Sequence, residues 1–82
     1  MKLYLISRTD QVGYDEYDSA VVCAGSEEEA RLIHPSRYTE GWNGKEEEYG
    51  TWVNADTITV KYLGEATESL SAGVVCASYN AG

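Results

Sequence analysis

The sequence has few of the groups on which most enzymes depend. It contains one histidine, two cysteines and six Lys and Arg residues against 14 Asp and Glu, which gives a formal net charge of −8. No G-x-S-x-G nucleophile motif, P-loop or G-x-G-x-x-G is present. A reactive cysteine needs electropositive surroundings, which a chain of this charge does not offer. We therefore expect no enzymatic activity and no cofactor.

The shortage of Lys and Arg also restricts the partners. Binding to nucleic-acid phosphates or to an anionic membrane needs clustered cations, so we expect no direct contact with either. The opening residues, KLYLIS, are too short for the apolar region of a signal peptide. A net charge of −8 permits a protein partner with a basic surface, or contributes nothing more than solubility. The lack of a signal-peptide pattern and the two cysteines, interpreted as reduced, predict a cytoplasmic location.

Phenylalanine is absent, whereas there are seven tyrosines and two tryptophans. Every large aromatic ring therefore carries a polar atom, and such rings can pack on one side while the other stays in water. Rings of this kind suit contact surfaces, and they also occur at the edge of a core.

The two cysteines, Cys23 and Cys76, both fall within predicted strands. We expect them to be buried, reduced and packed like small apolar residues, as is typical of cytosolic proteins. A disulfide between them would require the two strands to be neighbours.

The segment Asp18–Ser36 is the most clearly patterned part of the chain. Apolar and β-branched residues at Ala20–Ala24 predict a strand that is covered on both faces. Ser26 and Glu29 then form an S-x-x-E capping box at the start of a short helix of about two turns. Pro35 disfavours helical geometry at the preceding residue and is expected to end this helix.

The remaining strands are predicted at Lys2–Arg8, Thr57–Tyr62 and Gly73–Tyr79, with the second strand of the chain at Ser19–Ala24. The expected fold is α+β, a single domain over residues 1–82. It is a four-stranded, mostly antiparallel sheet with one short helix on one face, in the order β-β-α-β-β. Two-sided apolarity places the first, second and last strands at the centre, and one wet face places the third at an edge.

Two polar connections, Thr9–Tyr17 and Ser36–Thr51, combine aromatic rings with carboxylates. If they meet at one end of the sheet, they form a single recognition surface, because binding energy concentrates in a few large aromatic residues. The alternative is a solvated face with scattered rings. The predicted binding residues are Tyr14, Asp15, Glu16, Tyr17, Asp18, Tyr38, Trp42 and Tyr49.

No metal site is expected. The acids at positions 10, 15, 16 and 18 lack the spacing of an EF-hand. Cys23, His34 and Cys76 lack the paired C-x-x-C spacing of a zinc site. The single histidine, His34, is expected to interact with the C-terminal end of the helix dipole.

Four stretches of the sequence, RTDQVGYDEYDSAVV, SEEEAR, WV before T-x-T-x-K-Y-L-G, and GVVCASYNAG, together resemble a group of short uncharacterised proteins encoded by tailed bacteriophages and prophages. The match covers most of the chain and is weakest over residues 36–50. The resemblance supplies no catalytic motif. It implies an accessory protein that acts in the host cytoplasm, a class that contains many inhibitors of host defence.

Two functions follow as expectations. The first is a non-enzymatic acidic binding module that inhibits a host defence or nucleic-acid-handling protein, with its acids mimicking phosphate charge. The second is a protein that binds or sequesters a small, nucleotide-like ligand on flat aromatic faces. The phosphate-mimicking acids would be Asp15, Glu16, Asp18, Glu27, Glu28 and Glu46–Glu48, and the aromatic pocket would be lined by Tyr14, Tyr17, Tyr38, Trp42, Tyr49 and Trp52.

A sheet with one helix also leaves its second face uncovered unless the long loop folds over it. We expect an open apolar face to promote a two-fold homodimer. That face should include several of the residues Leu3, Tyr4, Leu5, Ile6, Val74, Val75 and Cys76.

Overall fold

The computed structural model describes residues 1–36, 42–48 and 50–80. The element order is β-β-α-β-β with a short 3₁₀ turn before the third strand, which confirms the α+β class and the predicted order. The elements are β1 (Lys2–Arg8), β2 (Glu16–Ala24), α1 (Glu27–Arg31), the 3₁₀ turn (Ala55–Thr57), β3 (Ile58–Glu65) and β4 (Gly73–Asn80). The second strand begins three residues earlier than predicted.

The four strands form one antiparallel sheet in the order β3-β1-β2-β4. The edge position of β3 is confirmed, but the prediction that the last strand is central is wrong. β4 is apolar on both faces although it lies at an edge, because both faces of this sheet carry apolar side chains. Cys76 lies opposite Val21 on the face away from the helix.

The core lies between the sheet and a layer built from α1 and the segment that precedes β3. Tyr4 and Ile6 of β1 are buried opposite Val22 and Ala20 of β2. Because side chains alternate along a strand, these residues share one face. The other buried members of this core are Ala24, Ala30, Trp52, Val53, Ala55 and Ile58.

The same alternation divides the residues that were expected on the open face. Tyr4, Ile6 and Val74 pack on the helix side and therefore do not belong to the open face. Leu3 and Leu5 lie on the opposite face, in register with Cys23 and Val21 of β2. Within the described residues, α1 contacts β1, β2 and β3. It lies on the face of the sheet that carries the core, since its buried residue Ala30 belongs to that core.

The helix begins as the sequence predicts. The Ser26 side chain accepts a hydrogen bond from the backbone N–H of Glu29 at 3.2 Å. The Glu29 carboxylate accepts from the N–H of Gly25, one residue earlier than a reciprocal capping box requires. The helix has only five residues and ends at Arg31, well before Pro35. The Arg31 guanidinium donates to the carbonyls of Ala55 and Ile58, and these bonds connect the end of the helix to the start of β3.

Both cysteines are free thiols, and they differ in exposure. Cys23 is buried as predicted, with its Sγ 3.6 Å from the Met1 Sδ. Cys76 is exposed, so the prediction of burial is wrong for this residue. Their strands are neighbours, but Cys23 lies opposite Gly73, and the two thiols are therefore not cross-strand partners.

Candidate functional site

The two aromatic and acidic connections lie at the same end of the sheet, where β1 ends and β2 begins. They meet directly, because the Tyr17 N–H donates a hydrogen bond to the Thr51 carbonyl at 2.9 Å. The Thr9 hydroxyl donates to the Thr57 carbonyl at 3.2 Å on the β3 side. The two connections thus touch at this point, and a single recognition surface formed by both of them stays a prediction.

A buried arginine anchors the first connection. The Arg8 side chain is only 5 % exposed and contacts both oxygens of Asp10, through Nε at 2.6 Å and Nη2 at 2.8 Å. Its Nη1 donates to Glu16 Oε1 at 2.7 Å and to the Tyr17 carbonyl at 3.2 Å. The hydrogen bonds from Arg8 lower the pKa of Asp10 and raise that of Arg8 itself. Glu16, a predicted binding residue, thus has a structural partner inside the protein.

The tip of this connection is held by the end of β4. Asp15 has a left-handed backbone (φ 59°), which Asp tolerates better than most residues. Its N–H donates to the Asn80 carbonyl at 2.6 Å, and the Asn80 side chain donates to the Gly13 carbonyl at 3.0 Å. These bonds hold the tip so that the adjacent Tyr14 is 78 % exposed.

Tyr17 and Asp18 are less accessible than Tyr14. Tyr17 is half-buried against the core, and its ring lies edge-on to Tyr79 with centroids 4.8 Å apart. Burial, followed by the proximity of Asp15 and Tyr17, raises the pKa of Tyr79. The Ser19 hydroxyl donates to Asp18 Oδ1 at 2.9 Å. Tyr79 was missed from the sequence, because the pairing register of β2 with β4 was unknown.

Trp42 of the second connection is half-buried and packs against the core. Its indole N–H donates to the Lys45 carbonyl at 2.9 Å, and its ring lies edge-on to His34 at 5.3 Å. Trp52 is 3 % exposed and belongs to the core itself. Tyr38 and Tyr49 lie outside the described residues. Tyr14 is thus the most exposed of the predicted aromatic residues that the structure describes.

His34 does not interact with the end of the helix dipole, so this prediction is wrong. The helix ends three residues earlier, and His34 is buried at 6 % exposure. Its Nδ1 accepts a hydrogen bond from the Ser36 N–H at 3.0 Å, and its Nε2 is 3.8 Å from Glu47 Oε1. Burial lowers the pKa of His34, and the Glu47 carboxylate opposes this only partly.

We expect the stability to fall as the pH is lowered from 7 to 5. Because burial lowers the pKa of His34, the unfolded chain binds more protons than the folded protein in this window. The contribution of His34 to the free energy of unfolding is therefore complete above the pKa of this residue in the unfolded chain. It is lost as the pH falls toward the lower pKa that His34 has in the folded protein. The loss is at most about 1.4 kcal/mol per pH unit, as for one proton. Urea unfolding of wild type and His34→Gln checks this, and an equal pH dependence in the two proteins would contradict it.

We term the exposed acids of α1 and of the segments joined to it the acidic layer. The acids lie on α1 and on the segment that precedes β3, and hydrogen bonds join these two parts. The Arg31 guanidinium donates to the Ala55 carbonyl, and the Ala55 N–H donates to the Gly44 carbonyl at 2.8 Å. The Glu46 N–H donates to the Asn54 side chain at 2.6 Å. The acids of this layer are Glu27, Glu28, Glu29, Glu46, Glu47, Glu48 and Asp56.

Most of these carboxylates have no cationic partner among the described residues. Arg31 lies 3.7 Å from Glu27, and its other contacts are with backbone carbonyls. In the described ranges, the exposed acids of the layer that form neither an ion pair nor a side-chain hydrogen bond are Glu28, Glu46, Glu48 and Asp56.

A cleft lies at the opposite end of the sheet from the two connections. It has a volume of about 400 Å³ and is lined by Lys2, Tyr4, Glu27, Val60 and Tyr62. The Tyr62 hydroxyl donates to Glu65 at 2.7 Å, and this hydrogen bond raises the pKa of Tyr62. Of the residues predicted for an aromatic pocket, those that the structure describes, Tyr14, Tyr17, Trp42 and Trp52, do not line this cleft.

The molecule is thus a small antiparallel α+β domain with an acidic layer and a tethered aromatic loop. Within residues 1–36, 42–48 and 50–80, no three His, Cys, Asp or Glu side chains are grouped to hold a metal ion. No helix in the same ranges is long and apolar enough to cross a membrane. Comparison of the chain with protein-family models, with curated proteins and with solved structures finds no match.

Proposed function

We propose that the protein is a non-enzymatic binding module that docks its acidic layer on a basic surface of a partner protein. The observation that carries this proposal is the set of exposed carboxylates on α1 and the segment around it that have no cationic partner within residues 1–36, 42–48 and 50–80. Carboxylates that already had ion-pair partners would present little net charge to a binding surface. The layer contains seven acids, and the positively charged residues of the described segments that carry them are Arg31 and Lys45.

The electrostatic consequence is a preference for cationic partners and a fast association with them. Clustered charge of one sign steers a partner of opposite sign and raises the association rate, an effect that salt weakens. Tyr14 adds an exposed aromatic ring at the loop end of the sheet. Large aromatic residues often contribute most to the binding energy.

The more specific form of the proposal is a phage-encoded inhibitor of a defence or nucleic-acid-handling protein in the cytoplasm of a bacterial host. Proteins that bind nucleic acid expose basic grooves that contact phosphates. Exposed carboxylates at several positions of one surface can replace those phosphates. The resemblance to phage proteins and the net charge of −8 support this form.

Charge reversal in the acidic layer should weaken binding much more than the same change elsewhere. The protein is first immobilised and exposed to a bacterial lysate at low salt, and the retained protein is then purified for titration. Glu28→Lys with Glu48→Lys should reduce its affinity about 10- to 100-fold, which corresponds to roughly 1.4–2.7 kcal/mol. High salt and competing duplex DNA should release the same partner.

The matched control is Glu65→Lys with Glu68→Lys, which changes the net charge equally but lies outside the layer. It should leave the affinity within about twofold of wild type. Equal losses in the two double variants would show that net charge, rather than the layer, governs binding. Retention of no partner at low salt would overturn the proposal.

A second candidate function is the binding of a small flat ligand in the cleft beside Lys2 and Tyr62. Its volume of about 400 Å³ is within the range of small-molecule sites. Lys2 supplies a positive charge and Tyr62 an exposed ring. A thermal-shift screen with nucleotides, repeated on Tyr62→Ala, distinguishes the two candidates. Stabilisation that Tyr62→Ala removes favours this one.

A further inference from the structure

The cleft is bounded by β1, β3 and the start of α1. Lys2 and Tyr4 are two residues apart on β1 and therefore share the helix-facing side of the sheet, and Tyr62 of β3 lies opposite Tyr4. Glu27 is the first residue of α1. This helix has only five residues, and Tyr62 beside it remains 53 % exposed. The short helix thus leaves the β3 side of this face open, and the cleft of about 400 Å³ occupies the opening.

Tyr62 is the exposed ring of the cleft, and two contacts hold it in place. Its hydroxyl donates to Glu65 Oε2 at 2.7 Å, and its ring lies edge-on to Tyr4 with centroids 5.9 Å apart. Val60 adds an apolar side chain to the lining. A ring that is fixed before binding loses little entropy when a flat apolar group packs against it. The cleft is therefore suited to a ligand that carries a flat apolar group.

Lys2 and Glu27 place opposite charges on the lining of this cleft. They do not form an ion pair with each other, and Lys2 has no ion pair with any other residue that the structure describes. Arg31 Nη2 lies 3.7 Å from Glu27 Oε1, beyond hydrogen-bond distance, and the Glu27 side chain stays 61 % exposed. One charge of each sign is thus accessible to a ligand.

We propose that the cleft binds a free α-amino acid with an aromatic side chain, its carboxylate toward Lys2 and its ammonium toward Glu27. The proposal rests on the second candidate function, in which the cleft is a small-ligand site. A nucleotide would bring its phosphates beside Glu27 in a chain of net charge −8, and a simple cation would be repelled by Lys2. A zwitterion pairs with both side chains, and its ring packs against Tyr62.

Two analogues of phenylalanine test the ligand class. Phenethylamine lacks the carboxylate and 3-phenylpropionate lacks the ammonium, while both keep the ring. The open cleft predicts a Kd on the order of a millimolar for phenylalanine. Each analogue should bind about tenfold more weakly, since a hydrogen bond to a charged group contributes at least that factor. Titration of isotope-labelled protein, followed by NMR chemical shifts at Lys2, Val60 and Tyr62, measures the three affinities.

Two substitutions assign each ligand charge to its side chain. Lys2→Met should remove the preference for phenylalanine over phenethylamine, and Glu27→Gln should remove the preference over 3-phenylpropionate. The matched controls are Lys61→Met and Glu28→Gln, which make the same charge changes at residues that do not line the cleft. Both controls should keep both preferences. A purely structural role of Lys2 or Glu27 would weaken all three ligands alike, and that result would contradict the proposal.

The outcomes separate this proposal from the functions on which it borders. Equal affinities of the wild type for the three ligands would overturn the zwitterion and leave the cleft as a site for flat ligands. No shift at the cleft residues with millimolar phenylalanine would also overturn it, and the nucleotide screen with Tyr62→Ala then tests the cleft by itself. Neither result affects the acidic layer, because Glu28 and Glu48, whose reversal tests that layer, do not line the cleft.

Discussion

Trp52→Ala is expected to reduce the free energy of unfolding by about 3–5 kcal/mol, the usual cost of truncating a large buried aromatic side chain. Trp52 is 3 % exposed and joins the core residues of β1 and β2 to those before β3. A small domain has a total stability at the low end of about 5–15 kcal/mol. The variant should therefore lose most of its stability. Urea unfolding followed by circular dichroism measures the loss.

Trp52→Phe is the matched control, because it removes the indole N–H and keeps a ring in the core. That N–H is buried and has no acceptor among the described residues. An unsatisfied buried donor costs about 1–3 kcal/mol, and its removal should offset much of the lost packing. We expect Trp52→Phe to lie within about 1.5 kcal/mol of wild type. A loss as large as that of Trp52→Ala would contradict this account of the indole.

Arg8→Met should have the second largest effect, a loss of about 2–3 kcal/mol. Removal of one partner from a buried ion pair typically costs 3–5 kcal/mol, since it leaves an uncompensated charge. The cost here is smaller, because the side chains of Asp10 and Glu16 remain 53 % and 31 % exposed to water. Arg8→Lys keeps the charge but cannot contact both Asp10 oxygens as a planar fork, so it should fall in between.

The matched control for Arg8→Met is Lys61→Met, which removes an exposed cation without an ion-pair partner among the described residues. Its expected effect is within about 0.5 kcal/mol. Equal effects of the two substitutions would show that total charge, rather than the bonds of Arg8, determines the stability.

The pH dependence of Arg8→Met provides a second test. The Arg8 hydrogen bond lowers the pKa of Asp10, so the unfolded chain takes up a proton at higher pH than the folded protein. The stability that results is present above the pKa of Asp10 in the unfolded chain. It is lost as the pH falls through the pKa of Asp10 in the folded protein. Wild type and Arg8→Met should therefore converge in stability at acidic pH. A constant difference at all pH values would contradict the role of Asp10.

Local patterns in the sequence determined the elements and their order. Alternation around Ile58–Tyr62 predicts a strand with one wet face, and Ser26 with Glu29 predicts where the helix begins. These features depend on residues a few positions apart, so they can be inferred without knowledge of the fold. The aromatic and acidic composition of the two connections is likewise explicit in the sequence, but their contact through Tyr17 and Thr51 is not.

Tertiary structure alone decided which strands are neighbours and which polar groups are buried. An apolar run such as β4 is compatible with a central strand or with an edge whose open face is apolar, so the exposure of Cys76 could not be inferred. Arg8 and His34 have carboxylate partners 8 and 13 residues away along the chain, Glu16 and Glu47. Long-range pairing is set by the packing of the whole chain, whereas propensity and periodicity report only on neighbours along it.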